Sequence, residues 1–163
     1  SSSLVVNVVL VTLMLMDTAN MKTSKLTGTA LDWAVSKCEG IPVKITRTSS
    51  CAEEAIGKVT YSIDFDQTWN AKGQECWLSY SPTYNWAIGG PILQKEGIEL
   101  LCNLTEREAA RFSIPTKADW QAFHRSDRKT EARQFANTPL IAAMRCYVAR
   151  KLGDEVDIPK ELQ

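Results

Sequence analysis

From residue 22 onward, apolar positions switch between the helical and the strand period. Within residues 22–40, Leu31, Ala34, Val35 and Cys38 recur at i, i+3, i+4 and i+7, which predicts one buried face of a helix. Thr23, Ser24 and Thr27 are candidate N-caps, and Gly40 stands where a left-handed C-cap residue is wanted. Trp33 lies at the border of the stripe. Pro42 breaks the helix. Residues 43–48 alternate, Val43 and Ile45 against Lys44 and Thr46, as a half-buried strand does. Residues 49–57 read as a loop or short helix. Residues 59–65 alternate again, with Val59, Tyr61, Ile63 and Phe65 on one side. A turn region over 66–73 leads to a strand over 75–80, with Cys76, Leu78 and Tyr80 facing away from Trp77.

The second half is less regular. Residues 81–91 read as a loop rich in turn formers, and 92–93 and 98–102 as short strand pieces around Gly97. Residues 104–112 suggest a short helix with Thr105 as cap and Glu108 as its capping-box partner. Residues 118–124 fit strand or helix, and 125–131 are polar. The last helix is the best specified. Asn137 or Thr138 caps it, and Pro139 takes the first position, where a missing N–H costs nothing. Leu140, Ile141, Met144, Tyr147, Val148 and Leu152 form its apolar stripe. Arg145, Arg150 and Lys151 suit the negative end of its dipole, and Gly153 ends it before an acidic tail over 154–163. Helix, strands, then helix predicts an α+β fold: a small antiparallel sheet with the N-terminal and C-terminal helices packed on it.

The leader is a different kind of sequence. Residues 4–16 form an apolar run, shorter than the roughly 20 residues a membrane helix needs. Ser1-Ser2-Ser3 carries no positive charge, and Thr18-Ala19-Asn20 is a poor signal-cleavage site. The expectation is an upstream or non-native extension over 1–20, outside a single domain over 21–163, with translation starting at Met21 or Met16. A signal or anchor, and a Val-rich element docked on the domain, stay open as alternatives.

Composition narrows the partner classes. The chain has 163 residues and carries 19 basic and 19 acidic side chains, so no partner is chosen by bulk charge. Nucleic acid is disfavoured, because Arg125, Arg128, Lys129 and Arg133 are interspersed with acids. The five cysteines, Cys38, Cys51, Cys76, Cys102 and Cys146, include no Cys-x-x-Cys pair. That pattern suits reduced thiols in a cytoplasmic protein, not a disulfide framework or zinc knuckle. No membrane partner is expected.

Candidate chemistry concentrates in residues 80–91. Tyr80, Ser81, Tyr84, Asn85, Trp86, Gly89 and Gly90 combine ring faces, hydrogen-bonding groups and glycine backbone, which suits close approach to a ligand. The competing reading is a rigid turn whose Trp86 plugs the core. Neither Gly-x-Gly-x-x-Gly nor a Gly-Lys-Ser/Thr phosphate loop occurs. His124 is the only histidine and no sequence feature pairs it with a nucleophile. Asp64 and Asp66 flank Phe65 and could act as paired carboxylates, but a solvated strand end is the commoner case. Glu96, Glu99, Glu106 and Glu108 read as solvated charges. Cys146 sits in the apolar last helix, where burial outweighs reactivity. The expectation is no catalytic set, no metal and no cofactor.

Three ordered blocks, KTSKLTGTALDWAV at 22–35, YSPTYNWAIGGPI at 80–92 and TPLIAAMRCYV at 138–148, together with KLGDEV at 151–156, resemble the phage NinX family of tailed phages and prophages of enteric bacteria. The resemblance implies a start at Met21 and an accessory role during infection of a bacterial host, and it supplies no mechanism. Tyr84 departs from the small polar residue usual there, and 101–135 shows little of the pattern beyond Trp120 and Phe123. The leading expectation is a non-enzymatic protein that binds a small molecule or a host protein through residues 80–91, blunting a host defence. The alternatives are an enzyme with a dispersed site using His124, Asp64 or a cysteine, and a nucleic-acid accessory factor.

Overall fold

The computed structural model describes residues 17–57, 59–67, 76–102, 105–111, 113, 119–126 and 133–163. Strand β1 (Thr18–Lys22) and a 3-10 turn (Thr23–Lys25) lead into helix α1 (Gly28–Glu39). Strand β2 (Val43–Arg47), the short helix α2 (Cys51–Ala55), β3 (Tyr61–Gln67) and β4 (Cys76–Ser79) follow. Next come α3 (Trp86–Glu96), β5 (Ile98–Cys102), α4 (Glu106–Arg111), β6 (Trp120–His124) and β7 (Gln134–Ala136). The chain closes with α5 (Pro139–Leu152), β8 (Glu155–Pro159) and a 3-10 turn (Lys160–Leu162).

The class is α+β, and among the described residues the strands divide into three small antiparallel sheets: β1-β8, β2-β3-β4 and β5-β6-β7. Helix α5 is the hub. Leu140, Ala142, Ala143, Met144, Cys146, Tyr147 and Val148 are buried as it packs on the β5-β6-β7 sheet and against α1 and α3. Its start obeys the sequence signals: Thr138 Oγ1 accepts the Ile141 N–H at 3.3 Å, and Pro139 occupies the first turn. Arg145 then donates from Nε to the Leu26 carbonyl at 2.7 Å and from Nη1 to the Phe135 carbonyl at 2.5 Å. One guanidinium thus joins the approach to α1, β7 and α5. Helix α1 is buried on more than its predicted stripe, from Ala30 through Ser36, because α5, β3 and β8 all contact it. Trp33, expected at the border, is buried too.

Several expectations need correction. The first helix starts at Gly28, not at Lys22, since Lys22 ends β1 and Thr23 turns inward, donating from Oγ1 to the Gly153 carbonyl at 2.7 Å. Residues 154–163 are not a simple acidic tail, because Val156 and Ile158 bury one face of β8. That strand pairs with Thr18–Lys22, so a boundary drawn at residue 20 falls inside β1. Residues 86–96 are helical, which overturns both the loop expected up to Pro91 and the strand piece at 92–93. Burial of Gly89 and Ile92 outweighs the turn propensity of Gly-Gly-Pro. Residues 120–124 are strand. Ser50 and Glu53 form a capping box that decides the open choice at 49–57 for helix. The expected turn over 66–73 lies mostly outside the described residues.

Candidate functional site

The aromatic segment is anchored from three sides. The Tyr80 N–H donates to the Ile63 carbonyl at 2.6 Å, and its ring meets Phe65 edge-on, centroids 5.5 Å apart at 79°. The Ser81 carbonyl accepts the N–H groups of Tyr84 at 3.1 Å and Asn85 at 2.8 Å, closing a turn. Pro82 and Thr83 are buried beneath it, and the Thr83 N–H donates to Asp32 Oδ1 of α1 at 2.9 Å. Asn85 Oδ1 accepts the Ala87 N–H at 2.9 Å and caps α3. With the backbone held by these bonds, Tyr84 and Trp86 stand outward on either side of the cap, 87% and 53% exposed. They border an open groove of about 650 Å3 with Leu78, Phe65 and Ile88 as further apolar lining. Ser79, Ser81 and Asn85 supply polar groups along it.

Four of the seven expected residues, Ser81, Tyr84, Asn85 and Trp86, line this groove. The other three do not. Tyr80 is only 3% exposed. Burial, reinforced by the Glu39 and Asp32 carboxylates, pushes its phenol well above the ordinary range, and its hydroxyl has no hydrogen-bond partner among the described residues. Gly89 and Gly90 lie inside α3 and form no loop cradle. A Cβ on Gly89 would collide with the Pro82 carbonyl and sit 2.8 Å from Leu140 Cδ2, so this glycine permits helix packing. Gly90 precedes Pro91 within the helix, where glycine relieves the clash a Cβ would make with the proline ring. Sequence reasoning missed Phe65, Leu78, Ser79 and Ile88. Phe65 and Leu78 are register partners across β3 and β4, a pairing visible only once the strands are aligned.

A family model described as Bacteriophage P22, NinX matches residues 22–151, which contain the whole groove. The chain belongs to this phage family. No curated protein matches it.

Elsewhere in this NinX-family chain several of the described titratable groups are held in local contacts. Asp32 is buried, and the desolvation raises its carboxyl to about 6 in spite of the hydrogen bonds from Thr83. At the C-terminal ends of α1, α3 and α5, Tyr147 donates its hydroxyl to Glu39. Lys95 approaches Glu39 at 3.3 Å and Glu96 at 3.9 Å, and Lys151 approaches Glu96 at 3.4 Å. Burial and then the Glu39 charge push the neighbouring Cys38 thiol up to about 12, far from a reactive thiolate. Cys146 is buried; Cys51 and Cys102 are exposed.

His124, at the end of β6, has Ser126 as its partner: the serine N–H lies 3.1 Å and the hydroxyl 2.7 Å from Nδ1. Because the backbone N–H must donate, Nδ1 is the acceptor and the ring proton sits on Nε2. Asp64 belongs to a different sheet, on β3, and accepts from Ser62 Oγ at 3.3 Å. The Asp66 side chain lies outside the described residues. Of the four interspersed cations, Arg125 lies 3.2 Å from Glu99 and Arg133 contacts Gln121 and Phe123; Arg128 and Lys129 lie outside the described residues. Among the described residues no three His, Cys, Asp or Glu side chains gather as a metal-binding group. No described helix is long and apolar enough to cross a membrane.

Proposed function

We propose that this phage protein acts by binding, and that the groove beside Tyr84 and Trp86 is its contact surface. The observation that carries the reading is the outward stance of Trp86 at 53% exposure beside Tyr84 at 87%, instead of a tryptophan plugging the core. Two large rings held outward by a capped turn present apolar area at low entropic cost, since little order remains to be imposed on binding. Leu78, 45% exposed, extends the apolar surface. The occupant is a planar or apolar group of a small molecule or of a host protein in the infected bacterial cytoplasm, with Ser81 and Asn85 offering polar contacts at the rim. A role in blunting a host defence fits a protein that occupies a host surface and carries out no chemistry.

The test compares wild type with the Y84A/W86A double variant, each purified from infected cells, followed by mass spectrometry of released small molecules and co-purifying proteins. A species enriched on wild type and lost on the folded double variant is the expected result. Equal retention by both, or no species enriched on wild type, overturns the proposal.

A further inference from the structure

A second concave surface, of about 690 Å3, opens where β1, β7 and β8 meet and is lined by Lys22, Ser24, Gln134, Asp154 and Glu155. Its backbone is firmly tied. The Thr23 N–H donates to the Asp154 carbonyl at 2.8 Å, Thr23 Oγ1 holds the Gly153 carbonyl, and Arg145 holds the Phe135 carbonyl next to Gln134. Its side chains are not tied. Among the described residues, none of these five side chains has a hydrogen bond or ion pair within the chain.

Two details distinguish this cleft from ordinary solvated surface. The first is Gln134, which is 8% exposed and whose Oε1 has no hydrogen-bond partner among the described residues. Such a buried acceptor is destabilising until a donor meets it, and the soft terminal torsion of the amide lets it turn toward one in the cleft. The second is the contrast between two cross-strand pairs on the exposed face of β1 and β8. Asn20 donates to Asp157 at 3.2 Å, whereas Lys22 and Glu155, opposite each other in the register, form no ion pair. Opposite charges placed face to face normally close on each other; here they stay apart at the mouth of the cleft.

We propose that this cleft binds a basic amino acid. Among the described residues, the lining holds one cation, Lys22, and two carboxylates, Asp154 and Glu155. A ligand with one carboxylate and two cationic groups matches that set charge for charge. Its carboxylate meets Lys22 Nζ and the Ser24 hydroxyl. Its ammonium groups meet Asp154 and Glu155, and one N–H reaches Gln134 Oε1. Each is a charge-assisted contact of the stronger kind. The site shares no residue with the aromatic groove, so the two proposals stand or fall separately.

The experiment is an NMR titration of the full chain with three probes: L-lysine, cadaverine (the same chain without the carboxylate) and L-glutamate. L-Lysine should shift the backbone amides of Ser24, Gln134, Asp154 and Glu155, cadaverine should bind about tenfold more weakly, and L-glutamate should leave these amides in place. K22M should weaken L-lysine about tenfold without weakening cadaverine, while E155Q weakens both. Lys22 and Glu155 are exposed, so both variants keep the fold, which thermal unfolding verifies. No localised shift by about 10 mM L-lysine, equal binding of L-glutamate, or indifference of L-lysine binding to K22M overturns the proposal.

Discussion

Asp32 Oδ1 accepts the backbone N–H of Thr83 at 2.9 Å, across 51 residues of chain. Both residues are buried, so the bond replaces water for a carboxylate and an amide that have lost it. It fastens the turn that carries Tyr84 and Trp86 to the buried helix α1. The outward stance of the aromatic pair therefore depends on a residue far from it in sequence and hidden from any ligand.

The same residue gives stability a pH signature. Its carboxyl titrates at about 6 in the folded protein against 3.8 ordinarily, because burial disfavours the charge. A raised carboxyl pKa means the folded state holds the proton more tightly, so Asp32 penalises folding above pH 6 and the penalty fades as pH falls from about 6 to about 4. Urea unfolding of wild type and D32N between pH 7 and pH 4 should show wild type gaining relative to D32N, by on the order of 3 kcal/mol over the full range. A difference that stays flat with pH would sink this assignment.

Helix α3 contains two residues that ordinary propensity treats as faults, and they should respond oppositely to alanine. G89A introduces a Cβ into the Pro82 carbonyl and the Leu140 side chain, so it should lower stability by about 1–3 kcal/mol despite alanine's better helix propensity. P91A restores an N–H able to reach the Ala87 carbonyl at an exposed position, and should raise stability by roughly 1–3 kcal/mol. Thermal melts of the two variants give the signs directly. Stabilisation by G89A would contradict the close approach.

Arg145 should not tolerate lysine. Its two N–H contacts, to the Leu26 and Phe135 carbonyls, require a planar fork that an ammonium lacks. R145K is expected to lose about 1–3 kcal/mol. Hydrogen exchange should accelerate first between Leu26 and Gly28 and in β7. Uniform acceleration across the chain, with no excess there, would argue against a local tie.

The Y84A/W86A variant should separate binding from folding. Tyr84 and Trp86 are largely outside the core, so the double change should alter stability by less than about 1 kcal/mol while removing the bound species. A large drop in melting temperature would mean these rings support the fold instead.

What the sequence determined by itself follows from periods and caps, which are local properties. Leu140, Met144, Tyr147 and Val148 of the apolar stripe, Thr138 as its cap and Gly40 at φ 68° stand in the structure where the pattern put them, while Leu152 at the end of the stripe is exposed. The α+β class was legible for the same reason, and the family from three ordered blocks of sequence. Only the tertiary structure decided that Gly89-Gly90-Pro91 would be helix, since its burial against Pro82 and Leu140 comes from partners remote in sequence. It also decided that the tail would pair with Thr18–Lys22, and that Phe65 and Leu78 would meet beside Trp86. Those pairings join segments up to the length of the domain apart. Their register is set by which faces find a core, and no short window of sequence contains both faces.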